Sequence, residues 1–262
     1  MKRKGERRER TSRGLNRVSL VRALSKLGYS SRSRAAAIIE SGAVTINGVE
    51  AKNPHRWVDL SKDRVQVFHK EIPPKPNRVV LLHKPRGVVT TQSDERGRMT
   101  VFDLLGEEVE GLIAAGRLDK ETSGLLILTS DHRLAEFLTN PGSGVEKKYR
   151  VKLGRELSPS DVQRLQSGIE IVVDGKPYGT KPAKLSKVGP TTYEIVLSEG
   201  KNRQVRRMME AVGKEVVELK RTTVGPLSVG DIKDGSWREA RKEEVEALRS
   251  LVSNNRRHAV DR

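Results

Sequence analysis

Apolar residues recur at helical spacing in the first part of the chain and in short, strand-length runs after residue 78. Residues 20–27 place leucine and valine on one helical face, and Gly28 follows as a left-handed stop. Ser31 is a candidate N-cap for a second helix, which Gly42 closes. The segment VTINGVE then predicts a β-hairpin, because Asn-Gly favours the tight turn between two antiparallel strands.

A cluster of prolines separates this small domain from the rest of the chain. VQV at 65–67 is the last strand-like triplet before KEIPPKPN, which favours an extended, semi-rigid spacer. We therefore predict a disordered basic arm, a small α+β domain, a proline-rich linker, a larger domain and a flexible tail, at residues 1–16, 17–70, 71–77, 78–252 and 253–262.

The larger domain consists mainly of short apolar runs with β-branched residues, separated by turn residues. Three helices are expected among them, at 158–167, at about 203–213 and in EEVEALRSL. The first has Ser158 as N-cap and Asp161 at the capping-box position. This order predicts an α+β fold dominated by a mixed or antiparallel sheet. The expected strands are VVLL, VVT, GLIAA, LLILT, YRVKL, IEIVV, TTYEIVL and VVELK.

The net charge of the chain indicates a polyanionic partner. The 262 residues carry a formal net charge of +17, and 32% of them are charged. Nucleic acid is favoured over a membrane, because no apolar run approaches the roughly 18 residues that span a bilayer and no signal-peptide core follows the basic start. A cytoplasmic location is expected, and the absence of cysteine together with five scattered histidines predicts no metal site.

The first 17 residues contain eight basic residues and almost nothing to bury. Such an arm binds phosphates in one interpretation and only adds solubility in the other. The following segment, LSKLGYSSRSRAAAIIESGAVTING, resembles the alpha-L RNA-binding domain first described in a small-subunit ribosomal protein. The resemblance favours RNA contact, chiefly through phosphates, over a merely solvated surface for four basic residues: Arg22, Lys26, Arg32 and Arg34.

One segment contains candidate catalytic residues: GRLDKETSGLLILTSD, residues 116–131. LLILT reads as a buried strand, so Asp119 lies in the loop at its N-terminal end, between Arg117 and Lys120. Nearby cations stabilise an ionised carboxylate that can act as nucleophile or base, although an aspartate in such a loop commonly only caps a turn. The chain has no phosphate-binding P-loop, dinucleotide fingerprint or nucleophile elbow.

GRLDKETSGLLILT closely resembles the signature of pseudouridine synthases, in the branch that modifies ribosomal RNA and carries an N-terminal alpha-L domain. HKPRGVVTTQSDERGRMTVFDLL, EKKYRVKL, EGKNRQVRRMMEAVG and LKRTTVGPL agree with further family segments in the same order. The resemblance extends over about residues 15–250. DHRLAEFL and the GSG near 142–144 depart from the usual pattern and read as loop variation.

The resemblance implies that a uridine in RNA is isomerised to pseudouridine without a cofactor, with Asp119 as the nucleophile. Tyr149 matches the aromatic residue that stacks on the base, and Arg206 matches the basic residue that pairs with the carboxylate. Arg117 matches the residue that enters the vacated base stack, and serves equally well as a counter-ion to Asp119. Leu219 matches a residue of the uracil pocket, with core packing as the alternative. Phosphate contacts, or a solvated basic face, are the two interpretations of Lys201, Arg203 and Arg207.

The expected partner is ribosomal RNA, with the large subunit as first candidate, and the protein is expected to act as a monomer. Two rival functions remain at this point. One is a non-catalytic RNA-binding or ribosome-assembly factor in which Asp119 only shapes a turn. The other is a carboxylate glycosidase, although such enzymes use two cooperating acids and only Glu121 accompanies Asp119 in the matched segments.

Overall fold

The computed structural model describes residues 17–30, 32–60, 62–72, 77–106 and 111–260, with side chains for all of these except residues 32 and 254–260. The chain divides after residue 76 into two compact units, each with its own core. The predicted N-cap Ser31 and the basic arm, residues 1–16, lie outside the described residues, as does most of the proline-rich linker.

The first unit pairs two short helices with two small antiparallel sheets. Four strands follow the order β3-β2-β5-β6, and β1 pairs with β4. The helices bury Leu20, Leu24 and Ile39 against Val44 and Val67 of the larger sheet. The elements are β1 (Arg17–Ser19), α1 (Leu20–Lys26), α2 (Arg32–Glu40), β2 (Val44–Ile46), β3 (Val49–Glu50), β4 (Trp57–Asp59), β5 (Val65–Val67) and β6 (Lys70–Glu71).

The predicted stops and turn of this unit are confirmed. Gly28 and Gly42 follow the two helices with φ of 70° and 82°. Asn47 and Gly48 join β2 to β3 with φ of 52° and 82°, the left-handed pair that an Asn-Gly hairpin turn requires.

The second unit is built on a mixed sheet that has nine strands within the described residues. Its main order is β13-β14-β10-β15-β9-β7-β17, with β8 added to β9 and β16 to β15. All neighbours are antiparallel except β9 and β15. The elements are β7 (Val79–Lys84), α3 (Val101–Leu105), β8 (Ile113–Ala114), β9 (Ser123–Thr129), α4 (His132–Thr139), β10 (Lys147–Leu153), α5 (Pro159–Ser167), β11 (Glu170–Val173), β12 (Lys176–Gly179), β13 (Lys184–Lys187), β14 (Thr192–Leu197), α6 (Gln204–Glu210), β15 (Val216–Val224), β16 (Leu227–Ser228), β17 (Trp237–Glu239) and α7 (Lys242–Val260).

The middle of this sheet is buried on both faces. Leu125 and Ile127 of β9 enter one core with α4 and α7, whereas Leu126 and Leu128 enter a second core with α3. Alternate residues of β7 divide between the same two cores. A strand with two buried faces shows a continuous apolar run, which is why VVLL and LLILT are so uniform. These two strands form a rigid base beside the loop that carries Asp119.

The α+β fold with a mixed sheet is as predicted, and the structure corrects some local details. VVT forms no strand, because Val89 makes only a single bridge to Thr100. DHRLAEFL is a helix rather than a loop: Asp131 accepts from the N–H groups of Arg133 and Leu134 as N-cap. The 3₁₀ turn Pro141–Ser143 follows.

The segment 253–262, for which a flexible tail is predicted, begins within helix α7. Helix α7 continues to Val260 because the segment SNNRRHAV contains neither glycine nor proline to end it. By contrast, α5 has the predicted capping box, in which Ser158 and Asp161 each accept from the other's backbone N–H. Within the described part of the chain, no helix is long and apolar enough to cross a membrane.

Candidate active site

The loop between β8 and β9 carries Asp119, at the N-terminal end of a buried strand as the sequence predicts. The N–H of Thr122 donates to the Asp119 carbonyl at 3.0 Å, so residues 119–122 form a turn. The Gly87 N–H reaches the Lys120 carbonyl at 2.9 Å from the segment after β7. Contacts from within the loop and from a neighbouring segment therefore fix its backbone.

Thr90 holds the residue before Asp119 at both of its backbone groups. Its hydroxyl donates to the Leu118 carbonyl at 3.0 Å and accepts from the Leu118 N–H at 3.3 Å. Both residues are buried, so these two polar groups depend on the hydroxyl. The position of Asp119 is therefore set by a side chain 29 residues earlier in the sequence.

Lys84 supports the same loop from the end of β7. It is fully buried, and its ammonium group donates to the carbonyls of Pro85 and Val88 at 2.8 and 2.7 Å. Burial lowers the pKa of Lys84 to about 8, although the negative charges of Asp119 and Glu121 oppose that shift. Lys84 thereby fixes the turn that presents the Gly87 N–H to the loop.

A cavity of about 370 Å³ opens beside Asp119. Asp119 is partly exposed, and within the described residues its carboxylate has no hydrogen bond or ion pair to protein. Among the described residues that line the cavity, it is also the only acidic one. Six residues predicted from the sequence line this space together: Arg117, Asp119, Tyr149, Lys201, Arg203 and Leu219.

Two adjacent strands supply the wall that carries Tyr149 and Leu219. Tyr149 of β10 pairs with Arg221 of β15, and Leu219 lies two residues earlier on β15. A register shift between Lys148 and Tyr149 marks a bulge in this pair of strands.

Gly124 fixes the distance between this wall and the Asp119 loop. At the start of β9 it pairs in parallel with Arg221, and a Cβ at Gly124 would lie 2.1 Å from the Arg221 carbonyl oxygen. Its φ of 109° also lies in the region that favours glycine. The two strands approach this closely only because residue 124 has no side chain.

The loop from Glu199 to Gln204 forms another side of the cavity and is fixed by the buried Glu199 carboxylate. This group accepts from the Tyr178 hydroxyl at 2.6 Å, the Lys181 N–H at 3.0 Å and the Gln204 amide at 2.5 Å. The Lys201 ammonium lies 4.6 Å from the centre of the Tyr178 ring.

The predicted direct pair between Arg206 and Asp119 is not formed, since no ion pair within 4.0 Å joins these two described residues. The Arg206 guanidinium instead donates to the carbonyls of Glu121 and Val216 at 2.8 and 3.3 Å. Burial lowers the pKa of Arg206, which Asp119 partly opposes through space. Arg206 thus holds the loop backbone, and its charge acts on the carboxylate only from a distance.

The other described basic residues predicted to contact RNA do not line this cavity. Arg207 donates to the Asn202 side chain at 3.0 Å and lines a separate depression with Arg203. Arg22, Lys26 and Arg34 are exposed on α1 and α2 of the first unit, while the side chain of Arg32 lies outside the described residues.

Sequence reasoning missed two residues of the cavity wall, Lys147 and Arg221. Both are buried cations. The available signal was weak: each lies in a strand-like segment, EKKYRVKL or LKRTTVGPL, where a charge at an inward-facing position is unusual.

Two family models match the two units. The model described as RNA pseudouridylate synthase matches residues 78–211, and the S4 domain model matches residues 18–65. The chain belongs to the RNA pseudouridylate synthase family. It is an isomerase that acts on RNA and carries an N-terminal S4 domain, as the two resemblances predicted.

Two relatives from Bacillus subtilis match along nearly their whole length. An RNA pseudouridine synthase of Bacillus subtilis strain 168 is 37% identical over 238 residues, which cover 88% of this chain and 98% of the relative. The ribosomal large subunit pseudouridine synthase B of the same organism is 34% identical over 241 residues, with 90% and 98% covered. A crystal structure of a pseudouridylate synthase superposes with a TM-score of 0.64 at 28% identity, with 88% of this chain and 99% of that chain covered.

Proposed function

We propose that the chain isomerises one uridine, or a few, in large-subunit ribosomal RNA, with Asp119 as the nucleophile. Relatives named ribosomal large subunit pseudouridine synthase B, in Bacillus subtilis and in Escherichia coli O157:H7, support this target. The protein acts as a monomer in this proposal, and needs no cofactor.

One observation carries the proposal: of the cavity-lining residues that the structure describes, Asp119 is the single acid and the other charged ones are cationic. Its carboxylate makes no hydrogen bond or ion pair with other described side chains, so it is available to a substrate. Tyr149 and Leu219 lie on the adjacent strands β10 and β15 in the wall of this cavity, whose volume of about 370 Å³ is in the range of small-ligand pockets.

The reaction balances without redox chemistry. The bond from ribose C1′ to uracil N1 breaks, the base turns, and a bond forms from C1′ to C5. The proton on C5 leaves and N1 takes up a proton. Asp119 must be ionised whether it attacks C1′ or adds to the base, and Tyr149 stacks on the ring and assists proton transfer at C5.

The target base must leave its helix before Asp119 reaches it, at a cost of a few kcal/mol in unstacking. Arg117 is exposed and lines the cavity, two residues before Asp119, and fills the vacated stack in this proposal. Lys201 and Arg203 bind phosphates on the side of the cavity formed by the loop before α6. The S4 unit adds affinity through Arg22, Lys26 and Arg34.

The glycosidase alternative loses support from the position of Glu121. Its carboxylate pairs with Arg86 at 3.1 Å and does not line the cavity. A second acid within working distance of Asp119 is what a glycosidase of the usual type requires. The non-catalytic alternative loses support because the chain belongs to a family of enzymes.

Asp119→Asn tests the proposal directly. We expect turnover to fall to background, because an amide is a poor nucleophile, while RNA affinity stays nearly unchanged. Tritium release from unmodified ribosomal RNA labelled at uridine C5 measures the reaction, and a filter-binding assay measures affinity. Lys152→Met, which removes an exposed cation from β10, is the control with normal turnover. Normal turnover by Asp119→Asn, or release of free uracil by the native protein, contradicts the proposal.

A further inference from the structure

Two cationic side chains are buried in the wall of the Asp119 cavity. Lys147 of β10 is 9% exposed and Arg221 of β15 is 3% exposed, and both line the cavity. They lie on adjacent antiparallel strands, where Lys147 pairs with Val224 and Arg221 pairs with Tyr149. The bulge between these pairs lets Arg221 and Val224 line the same cavity although they are three residues apart on β15.

Neither cation has an anionic partner among the described residues. The Lys147 ammonium donates to the Val145 carbonyl at 3.2 Å, and the Arg221 Nε donates to the Leu125 carbonyl at 2.8 Å. Arg221 Nη2 is buried and has no hydrogen-bond partner among the described residues. Because lysine has three donor hydrogens and arginine five, most of their donor capacity is unused.

Buried charge without a counter-ion costs several kcal/mol, so a purely structural role does not explain this arrangement. Burial, and then the charge of Arg221, lower the pKa of Lys147 to about 8. The single acid of the cavity, Asp119, forms no ion pair with either cation. The described residues of the cavity wall therefore carry an excess of positive charge, from five cations against one acid: Arg117, Lys147, Lys201, Arg203 and Arg221 against Asp119.

Uracil is neutral and offers only two carbonyl acceptors, so it does not balance this charge. A phosphodiester group supplies one full negative charge and two free oxygens. The guanidinium fork matches such oxygens in a bidentate geometry, and an ammonium group adds a point charge beside it.

We propose that Lys147 and Arg221 form an anion subsite that binds a backbone phosphate of the RNA next to the uridine presented to Asp119. The identity of the ligand as RNA rests on the proposed function, whereas the subsite rests on the two buried cations. Gly124 and the bulge hold the subsite at a fixed position relative to Asp119. A phosphate bound there fixes the sugar of the target nucleotide within the cavity.

Anion binding is measurable without turnover, by NMR of the full chain labelled at lysine Cε and arginine Nε. The probes are inorganic phosphate, uridine 5′-monophosphate, uridine 3′-monophosphate and uridine, and Lys147→Met and Arg221→Lys assign the signals. We expect both phosphate and the mononucleotides to raise the pKa of Lys147 above its starting value near 8 and to shift Arg221 Nε. Uridine alone leaves both signals unchanged. Phosphate that moves neither signal overturns the subsite.

RNA binding gives the second readout. Lys147→Met should weaken binding to unmodified ribosomal RNA by about tenfold, because one charge-assisted hydrogen bond to a phosphate no longer forms. It should also reduce the slope of log Kd against log salt by about one. Lys147→Arg should restore most of the affinity. Lys152→Met, on the same strand but exposed and outside the cavity, is the matched control and should change neither quantity as much.

The outcomes separate the subsite from the proposed function. If phosphate shifts the signals of both the native chain and Asp119→Asn, the subsite is supported. If the native chain nevertheless forms no pseudouridine in ribosomal RNA, the proposed function is contradicted while the subsite stands. Normal turnover with no phosphate response, or an equal effect of Lys147→Met and Lys152→Met, shows that the two cations serve only the fold.

Discussion

The hydroxyl of Thr90 is the smallest group on which the position of Asp119 depends. It satisfies both the N–H and the carbonyl of buried Leu118. Thr90→Val keeps the shape of the side chain but leaves both backbone groups unpaired, at a cost of about 1–3 kcal/mol. We expect kcat to fall by roughly 10- to 100-fold because the carboxylate moves, with KM little changed. Initial rates of tritium release measure both quantities.

Thr90→Ser is the control, because it retains the hydroxyl, and it should recover most of kcat. A thermal melt measures the effect of the valine substitution on stability, separately from its effect on kcat. Loss of stability with unchanged kcat would show that the hydroxyl supports only the core and does not position Asp119.

Among the elements, the parallel junction of β9 and β15 depends on Gly124. Alanine there places a methyl group against the Arg221 backbone and also strains a φ of 109°. We expect Gly124→Ala to lower the free energy of unfolding by about 2–5 kcal/mol. Gly97→Ala is the matched control, since Gly97 has a φ of 66° but open space around its Cβ position. It isolates the backbone strain, about 1–3 kcal/mol. Urea denaturation measures both, and equal losses of stability would contradict the close approach.

Helix α7 is attached to β17 by a bidentate ion pair. Arg238 donates to both carboxylate oxygens of Glu244 at 2.7 Å, and the Arg241 N–H adds a third bond. The hydrogen bonds from Arg238 lower the pKa of Glu244 to about 2. Because the folded pKa lies below the ordinary value of 4.5, this stabilisation is complete above about pH 5 and is lost as pH falls towards 2.

Glu244→Gln should therefore cost about 1–3 kcal/mol of stability near pH 7 and much less near pH 2. Urea denaturation of both proteins at several pH values measures the difference. A difference that is independent of pH would assign the effect to packing instead of the carboxylate.

In the whole molecule, the first unit is expected to add RNA affinity to the phosphate contacts of the second unit, which also carries the chemistry. The second unit contains the cavity and three of the four cores that the described residues form, and the first carries exposed cations on a family-typical RNA-binding fold. Deletion of residues 1–76 should weaken binding to ribosomal RNA and reduce its salt dependence, by a slope of about one for each phosphate that the shortened chain no longer binds. Filter binding across a salt series measures this. Unchanged affinity would place the binding surface in the second unit alone.

The sequence by itself determined most of the elements and the loop that carries Asp119. Gly28, the Asn47-Gly48 turn and the Ser158 cap each act on hydrogen bonds within a few residues, so short motifs are sufficient to predict them. The uniform run LLILT likewise predicts a doubly buried strand, and with it the place of Asp119. Helix α4 has an equally local Asp131 cap and apolar spacing, but the departure of its segment from the family pattern favoured a loop.

Only the tertiary structure decided which side chains meet around Asp119. Arg206 lies near the loop but gives its hydrogen bonds to backbone carbonyls, which no local pattern indicates. Lys147 and Arg221 become neighbours in one wall through strand register, a bulge and the close approach at Gly124. These are relations between segments about 70 to 100 residues apart, and packing of the whole sheet fixes them; spacing along the chain does not encode that geometry.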